Sequence, residues 1–122
     1  MQILLSFDID GTLETGDPPG PITLDMVKRA KALGCIIGSS SDRPISAQTD
    51  MWARTDIEVD FVSNKHVLIE IKNKFSADYY LHLGDRELDK QFAREAEFDF
   101  RWMDEGALEP WLDMLGARES QS

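Results

Sequence analysis

Two pairs of aspartates stand where an apolar run gives out. Asp8 and Asp10 follow Ile3–Phe7 in the segment Asp8-Ile9-Asp10-Gly11-Thr12-Leu13, and Asp85 and Asp89 follow Tyr79–Leu83 in Gly84-Asp85-Arg86-Glu87-Leu88-Asp89. Carboxylates brought close together repel and raise one another's pKa unless a cation neutralises them. A set of ligands that offers only oxygen suits Mg²⁺, a hard ion that keeps several waters and bridges carboxylate to phosphate. One acidic pair alone is weak, because an acidic turn bent at Gly11 would look the same.

Hydroxyls and cations lie at comparable places in the chain. Gly38-Ser39-Ser40-Ser41-Asp42-Arg43-Pro44 offers three serines after another apolar stretch, and Lys65, Lys72 and Lys74 precede Tyr79. Serines that merely cap a helix explain two of the three hydroxyls. Arg43 and Arg86 sit beside the acidic and serine segments, as substrate contacts or as partners of surface acids. His82, between Leu81 and Leu83, reads as structural, and His66 as exposed. Trp52, Trp102 and Trp111 read as packing residues and Cys35 as a small buried hydrophobe.

The elements that must position these groups alternate between apolar runs and helical periodicity, which predicts βαβ units around a mostly parallel sheet. Strands are expected at Ile3–Phe7, 35–39, 59–62, Tyr79–Leu83 and 98–102. Thr23 caps a helix carrying Met26, Val27, Ala30 and Leu33, which Gly34 ends. A second helix starts at Pro44 and runs through Trp52. Asn64 caps a third with Val67, Leu68, Ile71 and Phe75 inward; a fourth turns Leu88, Phe92 and Ala96 inward. Leu108, Trp111, Leu112 and Leu115 mark a last short helix with Pro110 in its first turn. With strand order 3-2-1-4-5 the first and fourth strands flank the switch point, and Asp8, Asp10, Asp85 and Asp89 converge on one crevice.

Together these segments resemble the haloacid dehalogenase superfamily. Asp8-Ile9-Asp10-Gly11-Thr12 is similar to its first motif, and Gly84-Asp85 with Asp89 to its fourth; the resemblance spans roughly residues 3 to 102. It implies a Rossmann-like three-layer α/β/α sandwich and phosphoryl transfer through an aspartyl-phosphate, with Asp8 as nucleophile and Asp10 as general acid and base. It implies Mg²⁺ held by Asp8, the Asp10 carbonyl, Asp85 and Asp89, and phosphate bound by Ser41, Lys65, Gly11 and Thr12. Counting back from Arg43-Pro44, which is similar to the family's Thr-Gly-Arg-Pro, selects Ser41; ending the strand at its last apolar residue selects Ser39.

Length and charge bound the rest. A chain of 122 residues accommodates one domain, 1–116, with a frayed tail 117–122. The intervals from Thr12 to Ser41 and from Arg43 to Lys65 hold no cap domain, and Glu14–Pro21 is all that is left of the family's flap. The open site would take a phosphorylated small molecule or macromolecule, with a second copy of the chain as an available cover. Acidic residues outnumber basic ones 23 to 13, which disfavours long nucleic acid as a partner. One cysteine and an N-terminus without a basic, apolar leader point to a cytoplasmic protein without a membrane span. The rival reading is a weak or inactive fold-mate serving as a binding or regulatory module.

Overall fold

Five consecutive residues of Ile3–Phe7 are buried, as a strand covered on both faces requires, and they form β1 at the centre of the sheet. The computed structural model describes residues 1–116; the tail 117–122 lies outside the described residues. Chain order is β1, α1 (Leu24–Ala32), β2 (Ile36–Ser41), α2 (Ile45–Thr55), β3 (Phe61–Asn64), a 3₁₀ turn at Lys65–Val67, α3 (Leu68–Lys74), β4 (Tyr79–Gly84), α4 (Glu87–Glu95), β5 (Asp99–Trp102), α5 (Met103–Gly106) and α6 (Pro110–Met114). The sheet order is β3-β2-β1-β4-β5, and every pairing is parallel.

Alternation along β1 divides the core into two layers. Ile3, Leu5 and Phe7 join Val27, Ala30, Ile37, Met51, Trp52 and Trp111 on one face, and Leu4 joins Phe61, Leu68, Ile71, Ala93 and Phe98 on the other. The helices α1, α2 and α6 therefore cover one face and α3 and α4 the other, a three-layer sandwich with all βα turns at one edge. Thr23 caps α1 by accepting from the Met26 amide at 3.2 Å, and Gly34 ends it at φ +94°.

Several boundaries differ from the sequence expectation. β2 runs on to Ser41 and β3 lies at Phe61–Asn64 rather than 59–62, because ladder bonds between Gly38–Ser41 and Phe61–Asn64 extend both strands into polar residues. In α4 Phe92 and Ala96 face the core as expected and are joined there by Asp89 and Ala93, whereas Leu88 is 43% exposed because the buried aspartate takes the inward place in the first turn. Leu33 is exposed at the end of α1, Leu108 is exposed ahead of α6, and α5 was not anticipated.

Candidate active site

Asp8 leaves the end of β1 beside β4, where its amide donates to the Leu83 carbonyl at 2.9 Å. Asp85 follows β4 directly and Asp89 lies in the first turn of α4, fully buried. One carboxylate oxygen from each of Asp8, Asp85 and Asp89 falls within 4.8 Å of the others. Gly11 makes this approach possible: at φ +77° a β-carbon there would lie 2.0 Å from Asp85 Oδ2. Oδ1 of Asp85 is buried with no hydrogen-bond partner. Asp10 stands apart from the three, on the rim.

Lys65 is delivered by the 3₁₀ turn after β3 and is only 2% exposed. Its ammonium lies 3.0 Å from Asp89 Oδ1 and 3.5 Å from both Asp8 Oδ1 and Asp42 Oδ2. Asn64 does not cap this turn as expected. Its carboxamide instead donates to the Ser41 and Arg43 carbonyls at 3.1 and 3.0 Å, tying the β2 loop to β3. Lys72 turns away to the Glu97 carbonyl at 2.9 Å, and Lys74 lies over the Phe75 ring. Of the three lysines, Lys65 alone joins the site.

The three serines separate by their partners. Ser39 Oγ donates to Gln48 Oε1 at 2.7 Å and accepts from Trp52 Nε1 at 2.9 Å, and Ser40 Oγ pairs with Ser6 Oγ at 2.8 Å. Both are structural. Ser41 lines a narrow crevice with Asp8, Asp10, Asp42, Lys65 and Arg86. Gly11 and Thr12, expected at the phosphate, do not line it: Gly11 makes room for Asp85, and Thr12 is buried with its hydroxyl unpartnered.

Charge inside the crevice is unevenly shared. Burial and the neighbouring Asp89 carboxylate push Asp8 up to about 8 against the pull of Lys65. Asp89 moves the other way: burial opposes its ionisation, but the His82 hydrogen bond and Lys65 outweigh it and hold its carboxyl low. Burial likewise opposes the charge on Lys65, and Asp8 and Asp89 more than restore it.

Two contacts at the site were not anticipated. Arg43 grips Asp10 with two donors, Nη2 to Oδ1 at 2.5 Å and Nε to Oδ2 at 3.1 Å, and this fork holds the Asp10 carboxyl below its ordinary range. Beneath Asp89, His82 Nε2 donates to Oδ1 at 2.9 Å while Nδ1 lies 2.9 Å from Ser6 Oγ. Ser40, Ser6, His82 and Asp89 thus form one buried chain. The polar register of Ser6, Ser40 and His82 on three neighbouring strands was the only signal for it. His66, beside Lys65, is exposed, with its ring edge-on to Phe92.

No family model, curated protein or solved structure matches this chain. Among the described residues, no helix is long and apolar enough to cross a membrane.

Proposed function

We propose that this chain is a Mg²⁺-dependent phosphohydrolase of the haloacid dehalogenase type, acting on a phosphomonoester through an aspartyl-phosphate. The observation that carries the reading is the buried Asp8 carboxylate at the switch point of the sheet, with Lys65 Nζ 3.5 Å away and Asp85 and Asp89 beside it. The donor set fits the ion. Three carboxylates supply only oxygen, Asp85 Oδ1 is buried without a partner, and burial and the neighbouring Asp89 carboxylate push Asp8 up to about 8. Asp8, Asp85, Asp89 and the Asp10 carbonyl would hold Mg²⁺, which shields an anionic nucleophile from an anionic phosphate when bound.

The chain's own groups account for each proton and bond. Asp8 attacks phosphorus in line with the ester oxygen, forming an acyl phosphate as the P–O bond to the leaving group breaks. Asp10, released from Arg43 and protonated from solvent, gives that oxygen its proton. A water then attacks the acyl phosphate, Asp10 takes its proton back, and phosphate leaves as Asp8 is restored. The Ser41 hydroxyl and the Lys65 ammonium are the donors available to the remaining phosphoryl oxygens.

The alternative, a binding module on the same fold, draws support from the Arg43 fork that engages Asp10 at rest. Turnover of p-nitrophenyl phosphate with and without Mg²⁺ separates the two. The phosphohydrolase requires Mg²⁺-dependent release that Asp8→Asn abolishes; full turnover in Asp8→Asn, or in EDTA, overturns it.

A further inference from the structure

Arg43 and Asp10 define what the substrate must bring with it. Both Asp10 oxygens accept from Arg43, and Oδ1 accepts also from the Asp17 amide at 2.8 Å. Both oxygens are thus engaged by donors while the fork is closed, and a proton carried on either would meet the guanidinium. The Asp17 amide holds Asp10 in place when the fork opens, so release of Arg43 frees the carboxylate without losing its position.

The contact is also accessible. The Arg43 and Asp10 side chains are 24% and 34% exposed, unlike Lys65 at 2%, so an anion arriving from solvent can compete for the guanidinium. Lys65 is not that anion's partner, because it is buried at the bottom of the crevice and its ammonium serves the phosphoryl group. Arg86, with no acid among the described residues within ion-pair distance, lines the same crevice and adds positive charge at the mouth. The crevice itself is narrow, so the body of a substrate lies at this mouth beside the two arginines.

We propose that the substrate carries a second anionic group, a carboxylate or a further phosphate, which takes the Arg43 fork and so releases Asp10 for its work at the leaving oxygen. A planar, two-oxygen anion matches the guanidinium as the Asp10 carboxylate does. Arg43 is then both a specificity residue and a lock that opens only for the right ligand. The proposal rests on the phosphohydrolase reading and adds the substrate's chemical class to it.

The test compares phenyl phosphate with 2- and 3-carboxyphenyl phosphate, in Mg²⁺, using the wild type, Arg43→Ala and Arg43→Lys. Wild type should favour at least one carboxylated ester in kcat/KM, relative to Arg43→Ala, by about 10- to 100-fold, the worth of a charge-assisted hydrogen-bonded pair. In Arg43→Ala, phenyl phosphate should turn over faster than in wild type, since its lock is gone. Arg43→Lys keeps the charge without the fork and should recover only part of the preference. Equal losses on all three esters in Arg43→Ala would reduce Arg43 to a support for Asp10 and overturn the proposal while the phosphohydrolase reading stands. Absence of turnover on every ester by folded wild type overturns that reading, and the proposal with it.

Discussion

Exchanging Lys65 for methionine keeps much of the buried stem but removes the ammonium that Asp8, Asp42 and Asp89 share. Asp8, already pushed up to about 8, answers by holding its proton at neutral pH. Asp89 cannot do so as easily, because His82 keeps it ionised, and it is left as a buried charge short of its partner at 3.0 Å. Breaking a buried pair in this way costs about 3–5 kcal/mol, and the surviving His82 bond places this case near about 3 kcal/mol. An unfolding entropy of about 2.1 cal/mol/K per residue over 122 residues makes each kcal/mol worth about 4 °C. Lys65→Met should therefore melt about 12 °C below wild type by circular dichroism at pH 7 in EDTA. Asp89→Asn should be costly as well, yet the double variant should recover about 1–3 kcal/mol relative to the sum of the two, because the orphaned charge is gone. Losses that add to within about 0.5 kcal/mol would refute the argument that Lys65 and Asp89 act as a pair. The sign with pH follows from the lowered Asp89: its contribution is present above the unfolded value of 3.8 and fades as the pH falls through the folded one, so the Lys65→Met deficit should shrink below about pH 4.

Asp8 yields the opposite slope. Its folded carboxyl binds a proton between 3.8 and about 8 that the unfolded chain releases, so in EDTA the wild type should lose stability as pH rises across that window. Asp8→Asn should remove the slope and be the more stable protein at pH 8, as read by urea midpoints; a less stable Asp8→Asn at pH 8 contradicts the burial of charge at this position. His82→Phe leaves Ser6 Oγ with Ser40 as its one partner and takes a bond from the buried Asp89, and should cost about 2–4 kcal/mol in urea unfolding, with His82→Gln recovering part; a neutral His82→Phe would show that the buried chain is idle. Gly11→Ala forces Asp85 out of a space 2.0 Å from the new β-carbon, and phosphatase turnover should fall about 100-fold or more while the protein stays folded by circular dichroism. Unchanged turnover would remove Asp85 from the site.

Much of this arrangement was legible from residue types. The apolar run of β1, the Thr23 cap and the alternation of strands and helices were enough for βαβ units around a parallel sheet, and β3-β2-β1-β4-β5 is the one of the few topologies open to parallel crossovers that the chain adopts. Asp8 and the aspartates after β4 had to meet once those strands were neighbours, whereas Asp10 was carried to the rim by the turn after β1. What escaped notice was decided by contacts between distant residues. Ser40, Ser41, Ser63 and Asn64 have poor strand character, and only the ladder between β2 and β3 makes them strand. Phe92 and Ala96 face the core as their spacing suggests, but the Asp89 bonds to Lys65 and His82 put the aspartate inside in the first turn and leave Leu88 in solvent. Arg43 read as a partner for any of many acids; that it takes Asp10 with two donors depends on how β2 and the Asp10 turn are placed in space.

The buried Ser40-Ser6-His82-Asp89 chain also bears on how the sheet finds its pairing. Ser6 stands level with Gly38 on β2 and His82 on β4, the one polar step inside an otherwise apolar β1. Apolar side chains accept many neighbours, so oily parallel strands carry little information about which residue should sit opposite which. A slip of β1 by one residue would turn Ser6 into the α1 face and set Leu5 or Phe7 against the imidazole, with His82 and Asp89 stranded in a dry interior. Hydrogen bonds that steady Asp89 thereby act as a vernier for the strands, and the same four buried residues make every misaligned sheet a poor competitor during folding.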